Sequence, residues 1–413
     1  MSKVVVIGGG PAGIMAAISA AENGADVTLL ERNKSLGRKL AITGKGRCNL
    51  TNMTDIPELV KHLPGNGQFL YSAFSRFSAE DTCAFFQKLG VEIKVERGRR
   101  VFPRSDDAKE VVAALTESLH AHGIDVRPEQ RIKELALEAG AVRGVYDHAG
   151  RLTEAEAVVV ATGGVTYPAT GSTGDGYALA RQAGHTVTGL RPSLVPLETE
   201  EAWPCRLQGL SLKNVELKIC EGGKVLDKAF GEMIFTHFGI SGPIVLRLSH
   251  AVTSRENQGQ GLTALLDLKP ALSEEQLDQR LQRNMQKFSR KHFQNSLDEL
   301  LPASLIPVFV ELVGIDGHKP VNQLTREERM DILLMLKEMP MTVKKPRPID
   351  EAIVTAGGVT VKEVDPKTMG SKLAAGLYFA GEVLDIDGFT GGYNLQAAWS
   401  SGYVAGESAA LGL

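Results

Sequence analysis

The stretch Lys3–Gly13 reads KVVVIGGGPAG, and it decides the fold of the chain. Its first half is a run of β-branched residues without a polar interruption, which is typical of a strand buried on both faces of a parallel sheet. Its second half is a GxGxxG turn, and an alanine-rich segment with helical character follows it. The order strand, glycine-rich turn and helix predicts a Rossmann-like dinucleotide-binding unit.

Each glycine of this turn has a physical task in such a unit. Gly8 makes the tight turn, Gly10 lets the backbone approach a pyrophosphate, and Gly13 lets the helix pack on the strand. A second strand is expected at 26–30 and runs into Glu31, whose carboxylate can accept hydrogen bonds from ribose hydroxyls. An acid at this position disfavours a 2′-phosphate, so FAD and NAD rank above NADP. This first unit does not separate FAD from NAD.

Glycine-rich turns return twice at long range, each after a short apolar strand. Residues 157–161 read AVVVA and run into Thr162-Gly163-Gly164, and residues 376–380 read GLYFA and run into Gly381-Glu382. A loop TGGYN at 390–394 then precedes a helix expected from Leu395 to about residue 410. A flavin coenzyme is long and is held at both ends, so these distant segments favour FAD. The N-terminus of the last helix would face the flavin pyrimidine edge, where negative charge accumulates on reduction, and Asp385 could bind ribityl or ribose hydroxyls.

The composition is that of a soluble globular protein. The chain has 413 residues, 46 basic and 49 acidic side chains and a formal charge of −3, so it lacks the global basic charge of many nucleic-acid-binding proteins. No apolar run approaches the length of a membrane helix and no signal peptide is visible, so a cytoplasmic location is expected. The four cysteines are scattered without metal-ligand spacing, so neither a disulfide framework nor a metal site is expected.

The middle of the chain has a different pattern. Alternating residues at 215–219 and a Gly222-Gly223 turn predict antiparallel hairpins. Ser273 and Thr325 are expected N-caps of helices, with a further short helix at 297–301. The fold class is therefore α/β, a Rossmann-like FAD-binding domain split by an inserted antiparallel β domain with a helical subdomain. The expected bounds are 1–190 and 349–413 for the FAD-binding domain, 191–270 and 341–348 for the β domain, and 271–340 for the helices.

Several motifs together resemble one protein family, the BaiN-like NAD(P)/FAD-dependent oxidoreductases of bacteria, almost from end to end. The most specific of them is GEVLDIDGFTGGYNLQ at 381–396. One departure is Lys45, in a loop that often reads SGGGRCN in the family. The other motifs are the turn at 8–13, KLAITGKGRCN at 39–49, RVFPRS at 100–105, ATGGVTYPATGSTGDGY at 161–177, GEMIFTHFGISGP at 231–243 and residues 355–358.

The resemblance implies a bound FAD and places the loop 39–49 along it. Arg47 could meet a phosphate or the flavin, and Asn49 could bind a heteroatom. Cys48 lacks a second cysteine nearby and is expected to be a packed side chain. The motifs and the resemblance together give this set of expected cofactor-binding residues: Gly8, Gly10, Pro11, Ala12, Gly13, Glu31, Arg32, Lys39, Gly44, Gly46, Arg47, Cys48, Asn49, Ala161, Thr162, Gly163, Gly381, Glu382, Asp385, Gly391, Gly392, Tyr393, Asn394 and Leu395.

The expected activity is an FAD-dependent oxidoreductase that takes a hydride from NADH or NADPH and reduces an organic acceptor. The resemblance suggests an activated carbon–carbon double bond or a quinone-like compound as that acceptor. Only one GxGxxG follows a strand, so the nicotinamide donor would bind transiently. His237 is a candidate proton donor, and Arg100 or Arg104 is a candidate for binding the donor's phosphates or an anionic substrate.

Three alternatives stay open at the level of sequence. The first is an oxidase that takes electrons directly from its organic substrate. The second is a flavoprotein that acts on or binds RNA through the basic segment 280–291, against which the overall charge and the lack of interleaved aromatic residues argue. The third is a flavin-bound sensor without turnover. The sequence names neither the acceptor nor the oligomeric state.

Overall fold

A computed structural model describes residues 1–256 and 259–413 and divides the chain into two compact units. The first comprises residues 1–192 and 349–413, and the second comprises residues 193–348. Each unit has its own hydrophobic core. The first unit contains a parallel sheet and the second a closed antiparallel barrel, which confirms the expected fold class.

The elements of the first unit are numbered in chain order over the whole molecule. Its helices are α1 (Pro11–Glu22), α2 (Arg38–Gly46, kinked at 43–45), α3 (Ile56–Lys61), α4 (Tyr71–Arg76), α5 (Ala79–Lys88), α6 (Ala108–Ala121), α7 (Asp175–Gln182) and α14 (Tyr393–Leu411). Its strands are β1 (Lys3–Ile7), β2 (Asp26–Leu30), β3 (Thr51–Asn52), β4 (Ile93–Glu96), β5 (Arg100–Pro103), β6 (Asp125–Arg127), β7 (Ile132–Glu138), β8 (Ala141–Asp147), β9 (Leu152–Glu154), β10 (Ala157–Val160), β11 (Arg191–Ser193, at its boundary), β18 (Val354–Ala356) and β19 (Leu377–Phe379).

The parallel sheet of this unit has the strand order β19-β10-β1-β2-β6. The central strand β1 pairs in parallel with β10 on one side and β2 on the other, and its residues 4–7 are buried. The unbroken apolar pattern of the sequence follows from this burial on both faces. Because parallel strands end at the same edge, the turns after β1, β2, β10 and β19 meet there. This edge brings together distant segments: Ile7 and Phe379, the last residues of β1 and β19, are 372 positions apart in the sequence.

The long helix α14 packs against α1 at unusually short range. A Cβ added to Gly402 or Gly406 would overlap the carbonyl oxygens of Ala12 and Ala16, respectively. Small residues on both helices therefore permit the backbones to approach. This contact fixes the C-terminal helix beside the first glycine-rich turn, although α14 begins two residues earlier than the sequence pattern predicts.

The second unit is a six-stranded barrel in the order β12-β15-β14-β13-β16-β17, with helices attached. Ser273 and Thr325 form capping boxes, as the sequence predicts. The short helix predicted at 297–301 is wrong: these residues form a turn. The elements are β12 (Leu197–Thr199), α8 (Trp203–Arg206), β13 (Ser211–Glu221), β14 (Lys224–Thr236), β15 (Gly239–Ser241), α9 (Pro243–Thr253), β16 (Leu262–Asp267), α10 (Glu274–Lys287), α11 (Phe293–Ser296), α12 (Ile306–Val313), α13 (Arg326–Lys337) and β17 (Met339–Pro346).

No helix within residues 1–256 and 259–413 has both the length and the apolar character required to cross a membrane.

Candidate functional site

The turn after β1 has the geometry of a dinucleotide cradle. A Cβ on Gly8 would lie 2.5 Å from the carbonyl oxygen of Ala161, and one on Gly13 would overlap the carbonyl oxygen of Gly8. A Cβ on Gly10, in contrast, would meet no protein atom within 4 Å. Helix α1 begins at Pro11 without a side-chain cap and without an acidic residue in its first turn. Its first N–H groups and its positive dipole end are thus open to an anion at the place where Gly10 leaves space.

Glu31 holds this turn from the end of β2. Its side chain is buried, with only 7% of the residue exposed, and its Oε2 accepts a 2.7 Å hydrogen bond from the Gly9 N–H. Its Oε1 accepts a 2.8 Å hydrogen bond from the Asn33 N–H. Oε1 also accepts a 2.6 Å hydrogen bond from the Asn33 side-chain amide, whereas Oε2 has a second acceptor site that can still receive a ribose hydroxyl. The neighbouring Arg32 is paired with Asp175 at 3.1 Å.

The loop from Gly44 to Asn49 has an unusual backbone. Gly44, Lys45, Gly46 and Cys48 all have positive φ, which for Lys45 and Cys48 is a strained conformation. This conformation turns the Cys48 side chain into the core, where burial raises the pKa of its thiol to about 12. Lys45 is exposed to solvent.

Arg47 in this loop has three protein partners, and its contact with a phosphate or the flavin stays a prediction. Its guanidinium lies 2.5 Å from a carboxylate oxygen of Glu96 and 2.6 Å from one of Asp106, and it stacks 4.1 Å above the Phe102 ring. The hydrogen bond from Arg47 lowers the pKa of Glu96, and those from Lys94 and then Arg47 lower the pKa of Asp106. In this structure Arg47 therefore fastens the loop to the β4–β5 hairpin.

A partly buried ion pair joins the loop after β19 to helix α2. The Lys39 ammonium lies 2.7 Å from Glu382 Oε2 and 2.8 Å from the hydroxyl of Thr166. The other oxygen, Oε1, accepts a 2.8 Å hydrogen bond from the Thr355 N–H. Tyr167, next to Thr166, has a positive φ of 54°. Lys39 and Glu382, both predicted to bind the cofactor, thus bind each other and tie four segments of the site together.

The loop that leads into α14 is fixed by hydrogen bonds to the side chains of Asn394 and Asn52. The amide of Asn394 makes two 2.7 Å hydrogen bonds with the backbone of Gly388, and a Cβ on Gly392 would overlap the carbonyl group of Thr51. Asn52 donates a 3.1 Å hydrogen bond to the carbonyl oxygen of Gly391. No side chain caps the first turn of α14. The loop therefore presents the free N–H groups of a 19-residue helix next to β3.

Three buried polar atoms around this edge of the sheet have no partner in the described chain. They are Asn49 Oδ1, Thr162 Oγ1 and the Tyr177 hydroxyl. Buried polar atoms are ordinarily hydrogen-bonded, so unmet groups at three separate segments fit a ligand with many polar atoms. Together with the space at Gly10 and the carboxylate of Glu31, they fit FAD. The remaining predicted residues Pro11, Ala12, Gly163, Gly381, Asp385 and Leu395 lie in the same turns and helix starts.

The residues predicted to bind the nicotinamide donor and to donate the proton do not belong to the network around Glu31, Lys39 and Glu382. Arg104 is exposed and lies 3.3 Å from Glu92, while the Nε of Arg100 donates a 3.1 Å hydrogen bond to the Arg97 carbonyl oxygen. His237 lies in the second unit, in the exposed turn between β14 and β15, with its ring edge-to-face with Phe238 at 4.9 Å. The roles of these three residues stay predictions.

Some polar residues of the site were not predicted from the sequence. Tyr177, Thr166 and Thr355 lie inside the motifs at 161–177 and 355–358, but no local signal indicates that all three are buried around Glu382. The parallel pairing of β10 and β19 brings Thr166, which follows β10, to Glu382, which follows β19. The described residues include no group of three or more His, Cys, Asp or Glu side chains placed to hold a metal ion.

Known proteins are similar to this chain in sequence or in fold. Residues 2–408 match the model of the HI0933-like protein Rossmann domain. The chain is 34% identical over 413 residues to a 3-dehydro-bile acid delta(4,6)-reductase of Clostridium scindens, covering 99% of both chains. It is 30% identical over 406 residues to a ribosomal RNA dihydrouridine synthase of Haemophilus influenzae, covering 97% of both. A solved 3-ketosteroid-delta4-(5alpha)-dehydrogenase of Rhodococcus jostii shares the fold, with a TM-score of 0.53, 18% identity and coverage of 99% of this chain and 97% of that one.

Proposed function

This chain belongs to the HI0933-like protein Rossmann-domain family, which confirms the resemblance to BaiN-type flavoprotein oxidoreductases, and from it we propose an FAD-dependent reductase of carbon–carbon double bonds. The double bond would be conjugated to a carbonyl group, and NADH or NADPH would supply the hydride. The observation that carries the proposal is a chemical feature common to two relatives of nearly full length.

Both relatives are named for reactions on the same kind of double bond. A 3-dehydro-bile acid with a delta-4 double bond has that bond next to its 3-ketone. A dihydrouridine is a uridine whose C5–C6 double bond, next to the C4 carbonyl, has been saturated. In each case a hydride adds to the carbon distant from the carbonyl, and a proton adds to the carbon beside it. A conjugated carbonyl makes this addition possible because it takes up the developing negative charge.

The cradle of the first unit supplies the binding part of this chemistry. The N-terminus of α1 and the space at Gly10 would hold the pyrophosphate, and Glu31 would hold the adenosine ribose. The loop ending at Asn49 and the start of α14 would hold the ring. When bound, FAD supplies the transfer of a hydride between donor and acceptor, which no side chain can perform.

The test is to purify the protein, identify the flavin released by heat, and mix the holoenzyme anaerobically with NADH or NADPH. Bleaching of the flavin absorbance by either donor supports the reductase. Three acceptors then follow: 4-androstene-3,17-dione, menadione and an unmodified ribosomal RNA transcript. If neither donor bleaches the flavin while an organic substrate does so directly, the protein is an oxidase and the proposal is wrong.

A uridine in RNA is the second candidate acceptor, because a relative with 30% identity over 406 residues has that activity. The segment from Gln279 to Leu297 contains no acidic residue. Within it, the Lys287 and Lys291 ammonium groups lie 4.9 Å and 4.5 Å from the centre of the Phe288 ring. Lys287 is also paired with Glu299 at 2.5 Å, which leaves Lys291 as the cation beside the ring that has no acidic partner among the described residues. An aromatic ring beside cations is a combination found in single-stranded nucleic-acid sites. The structure thus supplies an aromatic contact that the sequence argument against RNA leaves out.

Binding of the transcript separates the two acceptors. The triple variant Arg283→Gln, Lys287→Gln, Arg290→Gln is expected to weaken RNA binding at least tenfold at moderate salt, because each phosphate contact contributes to counterion release. The matched control Lys213→Gln, Lys224→Gln, Lys228→Gln removes the same charge from exposed positions on β13 and β14. Equal loss in both triples, or no binding by the wild type, would leave a small-molecule acceptor as the substrate.

A further inference from the structure

The aromatic ring at the start of α14 is held rigidly in place. Tyr393 is the first residue of the helix, directly after Gly391 and Gly392, and only 7% of it is exposed. Its ring lies face to face with the imidazole of His62, with centroids 4.3 Å apart and planes 9° apart. Its other neighbour is Gly391, where a Cβ would lie 2.8 Å from Tyr393 Cε2. A side chain packed on both sides presents its hydroxyl in one direction.

The Tyr393 hydroxyl is not used by the protein itself. Within residues 1–256 and 259–413, no group forms a hydrogen bond with it, whereas the hydroxyl of Tyr378 binds two backbone oxygens. A buried tyrosine ordinarily finds a partner for its O–H group. The hydroxyl is therefore free to donate to a bound molecule.

The imidazole stacked on Tyr393 is oriented by helix α3. The Nδ1 of His62 lies 2.8 Å from the carbonyl oxygen of Glu58 and 3.5 Å from its carboxylate. A carbonyl oxygen only accepts, so Nδ1 carries the hydrogen. The neutral ring then has its acceptor at Nε2, and His62 is 28% exposed at its side chain. This nitrogen is left to exchange a hydrogen bond with water or with a bound molecule.

The charges that face Tyr393 come from two elements. Burial, and next Glu58 on α3, raise the pKa of the Tyr393 phenol, whereas Arg99 in the turn between β4 and β5 lowers it. Burial dominates, so the phenol is protonated at neutral pH and can act as an acid. Arg99 has a positive φ of 60° and is exposed, and its charge favours the phenolate that remains after donation.

We propose that Tyr393 is the proton donor of the reduction and that His62 returns the proton to it. This inference rests on the proposed function. In the step, the hydride of the donor forms a bond to the carbon distant from the carbonyl, and the π bond of the acceptor breaks. The electron pair of that π bond takes the proton from the Tyr393 O–H at the carbon beside the carbonyl. The phenolate then receives a proton from water by way of His62, and the protein is unchanged overall.

Tyr393→Phe removes only the hydroxyl and tests this step. In the holoenzyme, with rates expressed per bound flavin, transfer to the acceptor that the wild type reduces is expected to slow at least 100-fold relative to flavin bleaching by the donor. When the reduction is run in deuterated water, the wild type is expected to place solvent deuterium at the carbon beside the carbonyl, and the residual turnover of Tyr393→Phe is expected to lose the facial selectivity of that addition, because no fixed group delivers the proton. His62→Gln is expected to slow turnover less, with partial rescue by imidazole in the buffer.

The matched control is Tyr403→Phe, ten residues further along α14, where the ring stacks on Phe77 at 4.9 Å. This variant is expected to retain the rates of the wild type. Retention of acceptor reduction by Tyr393→Phe, or its loss in His237→Gln alone, would overturn the inference. A wild type that reduces no conjugated double bond at all refutes the proposed function before Tyr393 is tested, so the two failures are distinguishable.

Discussion

Three glycines of one turn have different physical roles, although the sequence motif treats them alike. Gly8 and Gly13 are required by the protein, because a Cβ at either would meet backbone atoms. Gly10 has a negative φ of −87° and open space at its Cβ position, so the protein itself would accept alanine there. Only a ligand in that space gives Gly10 a reason to be glycine.

Exchanging these glycines for alanine separates folding from cofactor binding. Gly10→Ala is expected to change the free energy of unfolding of the flavin-free protein by less than about 0.5 kcal/mol and to weaken FAD binding at least tenfold. Gly13→Ala is expected to destabilise the flavin-free protein by more than about 2 kcal/mol, because its Cβ overlaps the Gly8 carbonyl oxygen. Denaturant unfolding and FAD titration measure the two quantities. If Gly10→Ala bound FAD as tightly as the wild type, the pyrophosphate would not lie at Gly10 and this assignment would be wrong.

Cys48 is expected to be chemically inert despite its position in the cofactor loop. It is fully buried, and burial raises the pKa of its thiol to about 12, so almost no thiolate exists at pH 8. In native protein, Ellman's reagent should label Cys205, the only partly exposed cysteine among the four, and leave the other three unreacted for hours. Cys205→Ser should remove the rapid reaction, while rapid labelling in that variant would show that the buried thiols are reachable.

At the scale of elements, the contact between α1 and α14 depends on the absence of side chains. Gly406→Val is expected to destabilise the protein by at least about 2 kcal/mol, because its side chain would force the helices apart at Ala16. Leu411→Ala on the same helix, where the leucine is 54% exposed, should change stability by less than about 1 kcal/mol. Chemical denaturation measures both. Equal stability of the two variants would mean that the helices can separate without cost.

The end of α7 is joined to the segment before β19 by a buried histidine. The Nε2 of His185 lies 2.6 Å from the hydroxyl of Ser371, and its Nδ1 lies 3.3 Å from a carboxylate oxygen of Glu363. Burial lowers the pKa of His185, while Glu363 opposes the effect. This places a neutral imidazole inside the folded protein at neutral pH.

The free energy of unfolding is therefore expected to decrease as the pH is lowered below about 6.5. The unfolded chain takes up a proton near pH 6.5, whereas the folded chain resists protonation until a lower pH. The contribution is present in full above pH 6.5 and declines as the pH falls towards the lowered pKa. The free energy of unfolding should drop less between pH 7.5 and 5.5 in His185→Gln than in the wild type. An identical drop in both would assign the pH dependence to other groups.

At the scale of the whole molecule, the two units have separate cores, and the proposed cofactor residues all lie in the first. FAD is thus expected to stabilise only the first unit, residues 1–192 with 349–413, against unfolding. The gain in its free energy of unfolding should be about 2.7 kcal/mol at an FAD concentration of a hundred times Kd. Calorimetry with and without FAD should show one transition that moves and one that stays. In Gly10→Ala the same FAD concentration should shift the transition of the first unit less, by about 1.4 kcal/mol if binding is weakened tenfold. A single transition that shifts as a whole would mean that the units unfold together.

The sequence by itself determined the parallel-sheet unit, the inserted antiparallel β domain, the dinucleotide turn and the capped helices. These depend on local pattern: β-branched runs, alternating residues, glycines at fixed spacing, and Ser or Thr three residues before Glu or Gln. Closure of the β domain into a barrel was decided by the tertiary structure. The sequence also predicted a helix at 297–301, which is wrong because residue type does not reveal how a turn closes. It did not indicate that Arg47 pairs with Glu96 and Asp106, because residue type does not reveal which partner a long side chain reaches.

Tertiary structure alone decided which polar groups meet. Lys39 binds Glu382 across 343 residues, and Tyr393 stacks on His62 because β3, α3 and the start of α14 converge. The order of the parallel strands sets these encounters. Such contacts depend on where the chain returns to the edge of the sheet, and the periodicity of a segment does not indicate this. Burial and backbone conformation, in contrast, constrain the residue types of each short segment and can therefore be predicted from it.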